Sequence, residues 1–133
     1  MKYFTLILFF AGLFAYAQKE TTREIPQQEI ARVKAEIDSL SKQPDSTGGV
    51  EKYLKIGKLY AEINDVDNAQ AAFEKVLSMD EKNNRAHFML GLIFEKKKMT
   101  EKALYHWEKC LEYASHPGVK EIASKHINYL SRK

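Results

Sequence analysis

Apolar residues recur along most of the chain with the period of an α-helix, in six stretches set apart by short polar breaks. In residues 25–42, Ile30, Val33, Ile37 and Leu40 follow a 3-4-3 spacing, and Pro26 stands at a tolerated first-turn position. Tyr53, Ile56, Gly57 and Tyr60 then fall at i, i+3, i+4 and i+7, one face of a second helix. Asn64-Asp65 marks a turn, with the Asp65 carboxylate placed to cap the helix that carries Ala69, Phe73, Val76 and Leu77. Residues 79–84 are polar and helix-breaking, and the pattern restarts over 84–98 and 100–114, with Thr100 as the expected cap of the latter. A last stripe, Val119, Ile122, Ala123, His126, Ile127 and Leu130, fills 118–131 after Pro117-Gly118. With 6 glycines and 3 prolines the chain lacks the turn residues of an all-β protein, so the expected class is all-α.

Two of these helical pairs are copies of one another at an offset of 34. Gly57 is matched by Gly91, Tyr60 by Phe94, Ala69 by Ala103, Phe73 by Trp107, Ile56 by Leu90, Leu77 by Leu111, and Glu74-Lys75 by Glu108-Lys109. Small residues suit places where two helices cross closely, and the aromatics fill the space beside them. Tyr53, Ile56-Gly57, Tyr60, Ala69, Phe73 and Val76, and then His87, Leu90-Gly91, Phe94, Ala103, Trp107 and Cys110, resemble the tetratricopeptide repeat family. Glu81 and Ser115 stand where that family often has proline. The resemblance implies a solenoid of helical hairpins with repeats at 50–83 and 84–117. The helix of 118–133 reads as the cap that keeps the last apolar face from water. Residues 18–49 hold the amphipathic helix and a seven-residue connection, 43–49, short enough for that helix to fold back on the repeats. It is not a third repeat, because Ser39 and Lys42 fall where core residues belong.

The first 17 residues differ from all of this. After Lys2, residues 3–17 are almost wholly apolar and end in Ala15-Tyr16-Ala17, the small-x-small junction of a cleaved secretory leader, with Gln18 as the new N-terminus. The run is short for a membrane span, which wants ~20 apolar residues, so no stable span is expected after cleavage. No Asn-x-Ser/Thr acceptor occurs, which suits a bacterial protein, exported to the periplasm or alternatively released outside the cell. Lys plus Arg number 21 and Asp plus Glu 18, a formal net charge of +3 too even for an electrostatic nucleic-acid binder.

The chain proposes little chemistry. It has no glycine-rich phosphate loop, His-Glu-x-x-His or Gly-x-Ser-x-Gly motif, so neither catalysis nor a cofactor is expected. His106 and Cys110, at i and i+4, have a spacing that holds a metal on a helix, but no further ligand pair accompanies them. Lys96-Lys97-Lys98 ends a helix, where cations suit the dipole. The resemblance implies that a partner would lie on the concave surface made by the first helix of each repeat, where Glu51, Leu54, Lys58 and Ala61, then Arg85, Phe88, Leu92 and Glu95, are expected to be exposed. The lysines and asparagines with which some of these repeats grip a carboxylate terminus are replaced here, Leu54 and Phe88 at one position and Lys58 and Leu92 at another. Residues 88–94 are apolar without interruption, and a helix apolar all round is buried all round. The reading is therefore an exported adaptor that binds a protein through an apolar groove. Leu54, Phe88 and Leu92 would anchor the partner, and Lys58, Arg85 and Glu95 would set its register. The groove's occupant would be a partner, a second copy, or the helix of 25–42. The alternative is a structural module that self-associates through that helix.

Overall fold

The computed structural model of the protein describes residues 24–46 and 48–132; the expected leader, 1–17, lies outside them. Among the described residues there are six helices and no strand: α1 (Gln27–Ser41), α2 (Gly49–Glu62), α3 (Val66–Met79), α4 (Asn84–Lys96), α5 (Thr100–Tyr113) and α6 (Pro117–Leu130). Each helix packs against the next in sequence. The fold is an all-α solenoid of helical hairpins, α2–α3 and α4–α5, with α1 at one end and α6 at the other.

The hairpins are closed by a contact that only glycine allows. A Cβ at Gly57 would stand 2.7 Å from ring atoms of Phe73, and one at Gly91 would stand 2.7 Å from the indole of Trp107. Both aromatic side chains lie flush on bare helix backbone and are fully buried. Each then sits in the central cluster with Ala69, Val76, Ala86, Leu90, Ala103 and Cys110.

The turns inside the hairpins repeat as closely. Asn64 and Lys98 have φ of 60° and 58°. After α2, the Asp65 N–H donates to the Tyr60 carbonyl at 2.9 Å and the Asn64 N–H to that of Ala61 at 3.0 Å. After α4, the Met99 N–H donates to Phe94 and the Lys98 N–H to Glu95, both at 2.9 Å. These paired bonds satisfy carbonyls that the helix end would leave unpartnered. The Asp65 carboxylate caps α3 by accepting from the Asn68 N–H at 3.3 Å, and Asn83 caps α4 through the Ala86 N–H at 3.1 Å. Thr100 does not cap α5: it is already the first helical residue, after Met99, whose side chain makes no capping bond.

The outer helices settle where the apolar stripe of residues 25–42 goes. Val33 and Ile37 are buried in a second cluster with Ile56, Leu59 and Ala72, and Leu40 packs beside them. Glu36 pairs with Lys55 at 2.7 Å, tying α1 to α2. So α1 covers the outside of the first hairpin. It does not line the pocket beside Phe88, and Val33 and Ile37, the centre of its stripe, are already buried against the first hairpin. At the other end α6 buries Ala123 and Leu130 in the central cluster, while Ile122, expected in the same stripe, stays 41% exposed.

Candidate functional site

The apolar run 88–94 is not buried on all sides. Leu90, Gly91, Ile93 and Phe94 point into the core, Phe88 and Met89 are half-buried, and Leu92 is 38% exposed. Beside Phe88 lies a pocket of about 240 Å³ lined by Lys58 of α2, Asn84, Arg85, Phe88 and Met89 of α4, and Val119 of α6. Three helices far apart in sequence converge there. The Phe88 ring meets the buried Trp107 edge-on, with centroids 5.0 Å apart, so the wall of the pocket is held by the core beneath it.

Charge is arranged around this apolar floor. Arg85 pairs with Glu51, its counterpart 34 residues earlier, and the guanidinium holds the Glu51 carboxyl below the usual carboxylate range. Lys58 feels the same carboxylate across space, yet among the described residues it makes no hydrogen bond or ion pair. The side-chain amide of Asn84 likewise has no partner among them. The lining residues include two cations and no carboxylate.

Of the six expected contact residues, Lys58, Arg85 and Phe88 line the pocket, and Leu92 lies one turn farther along α4. Two belong elsewhere. Leu54 is only 2% exposed and is part of the central cluster, so it offers a partner no surface. Glu95 is turned inward: it accepts from the Trp107 indole N–H at 2.5 Å and bonds His126 Nδ1 at 2.6 Å. The His126 ring stacks on that indole at 4.2 Å, 16° from parallel, so Glu95 joins α5 and α6 to α4 instead of facing a groove. Asn84, Met89 and Val119 were not foreseen. Asn84 read only as a helix start and Val119 as part of a core stripe, and no local signal places either beside Phe88.

The remaining polar groups serve the fold. His87 is 3% exposed, and its Nε2 lies 2.9 Å from the Glu81 carbonyl, which can only accept. His87 Nε2 therefore carries the proton, its Nδ1 accepts, and His106 donates from Nδ1 across 3.0 Å. The His106 ring is engaged by His87 and stacks on Phe94 at 5.3 Å. Burial, then the neighbouring His87 and Lys102, pushes the His106 imidazole down to about 4. Burial alone raises the Cys110 thiol to about 11, leaving it in the unreactive form at neutral pH. Lys97 is spent on Asp67 and Gln70, both at 2.6 Å, and Lys96 on Asn64, so two of the three consecutive lysines fasten one hairpin to the other.

Residues 51–83, which span nearly all of the first hairpin, match the tetratricopeptide repeat family. Repeats of this family generally mediate contacts between proteins. No curated protein matches the chain. No helix among the described residues is long and apolar enough to cross a membrane.

Proposed function

We propose that the protein is a non-catalytic adaptor that holds a segment of another protein in the groove between α2, α4 and α6. Lys58, Arg85, Phe88 and Leu92 are the contact residues of this reading, together with Asn84, Met89 and Val119; Leu54 and Glu95 are left out because the core already uses them. The observation that carries it is the state of α4. Its inward face is packed, yet Phe88 and Met89 open onto a pocket and Leu92 stands in water on the same side of the helix. Covering such side chains releases some fraction of the ~1.5–3 kcal/mol that full burial of each would give. A photo-crosslinking residue at position 88, in the protein made in its own cell, tests the reading against the same residue at the exposed position 71. Capture of a defined protein at 88 and not at 71 is expected; equal capture at both would remove the groove from consideration.

The proposal includes export. It rests on the apolar run of residues 3–17, on Ala15-Tyr16-Ala17, and on the charged Lys19-Glu20 that follows. The periplasm of a bacterial cell is the proposed destination. Intact mass of the cellular protein is expected to correspond to a chain starting at Gln18; a chain that retains Met1 would overturn it.

A further inference from the structure

We infer that the segment taken by this groove is an acidic, apolar polypeptide stretch that runs through the groove and does not end in it. One apolar side chain sits in the pocket of Phe88, Met89 and Val119, the next apolar side chain lies over Leu92, and a carboxylate side chain of the segment faces Lys58. The inference rests on the groove reading above and adds the chemistry of the occupant.

Charge argues for the acid. The charged lining residues are both cationic, Arg85 is neutralised by Glu51, and Lys58 is left without a hydrogen-bonded or ion-paired partner among the described residues. A lysine beside apolar walls is partly shielded from water when a chain covers it, and there a unit charge interacts more strongly than in bulk solvent. An approaching carboxylate completes the pair, whereas an approaching cation is repelled by Lys58. The unpartnered Asn84 amide supplies a donor and an acceptor beside them, suited to a peptide backbone.

Size and spacing argue for a passing chain. At about 240 Å³ the pocket falls below the ~300–1,000 Å³ of sites that enclose whole small molecules, and it suits a single side chain. Phe88 and Leu92 are one turn apart on α4, about 6 Å at ~1.5 Å per residue. An extended chain returns a side chain to the same side every ~6.6 Å, so alternate residues match both places. A segment that touched the pocket alone, without passing over Leu92, would leave that residue as exposed as it is now, at 38%.

The test uses a fluorescein-labelled heptapeptide Glu-Ser-Leu-Ser-Leu-Ser-Glu, whose leucines and glutamates fall on one side of an extended chain, blocked at its C-terminus as the amide, titrated with the full chain and followed by anisotropy. Saturable binding is expected, weaker by about ten-fold or more when the glutamates are replaced by lysines, and weaker by about two- to five-fold in Lys58→Gln, whose exposed side chain can be changed without unfolding the protein. Leu92→Ser is expected to weaken it as well. Equal binding of the glutamate and lysine peptides, both lost in Phe88→Ser with unchanged circular dichroism, would overturn the acidic occupant and leave the groove standing. Binding only when the peptide's terminal carboxylate is freed would overturn the passing chain. Binding of neither peptide at millimolar concentration would overturn the groove reading itself.

Discussion

In the hairpin α2–α3, Gly57 lies against Phe73 and the left-handed Asn64 ends the first helix; in α4–α5, Gly91 lies against Trp107 and the left-handed Lys98 does the same. The two hairpins part company wherever a side chain looks outward. Ala72 lies under α1, while its counterpart His106 is bonded to His87. Leu54 is buried, while its counterpart Phe88 walls a pocket. Lys58 matches Leu92, and Ala61 matches Glu95, which reaches Trp107 and His126. Positions that set how two helices of one hairpin meet are dictated by close backbone approach, and they repeat. Positions that meet a different neighbour in each hairpin answer to that neighbour, and they do not.

The comparison is most sharply tested at the matched aromatics. Phe73→Ala and Trp107→Ala are each expected to cost about 3–5 kcal/mol in urea unfolding. Trp107→Ala should be the dearer, because it also strips the indole donor from Glu95 and the stacking surface from His126. Equal costs would mean that the Glu95–Trp107–His126 contact adds nothing to the second hairpin.

Acid should separate the hairpins next. His106 in the folded chain is held down to about 4, against an ordinary value near 6.5 once unfolded. Above about pH 6.5 neither state is protonated there and the stability is fully present. As the pH falls from 6.5 towards 4, the unfolded chain takes up a proton that the folded chain refuses, so stability drains away, by up to about 3 kcal/mol for this one group. Burial depresses His87 in the same sense. His106→Ala, which places the first hairpin's residue in the second, is expected to flatten the slope between pH 7.5 and 4.5; an unchanged slope would assign the acid sensitivity elsewhere.

Smaller effects belong to the shared joints. Gly57→Ala and Gly91→Ala each force a Cβ to 2.7 Å from a buried ring and should cost about 1–3 kcal/mol, with similar values for the two because the geometry is the same. The next expected effect is a gain. Lys98 holds a left-handed conformation that costs a side-chain-bearing residue about 1 kcal/mol, so Lys98→Gly should stabilise by roughly that amount. Asn64→Gly should gain nothing or lose a few tenths, since asparagine tolerates that conformation well and its side-chain oxygen accepts from Lys96. Both are read from the urea midpoint.

The sequence by itself determined the helices, the offset of 34, the glycine–aromatic pairing and the capping role of Asp65, because each follows from contacts within a turn or within one hairpin. The family resemblance also implied that Lys58, Arg85, Phe88 and Leu92 share the concave side of the first helices. Only the tertiary structure decided which of those positions meet water. Leu54 and Phe88 occupy the same place in their repeats, yet one is covered and the other opens onto the pocket that Val119 completes. Glu95 reads as a surface charge until α5 and α6 bring it an indole and an imidazole. What covers the stripe of α1 stays open in the sequence until Ile56, Leu59 and Ala72 receive it. Periodicity tells which face of a helix is apolar; the docking of helices distant in the chain settles whether that face is filled by the protein itself or left for another.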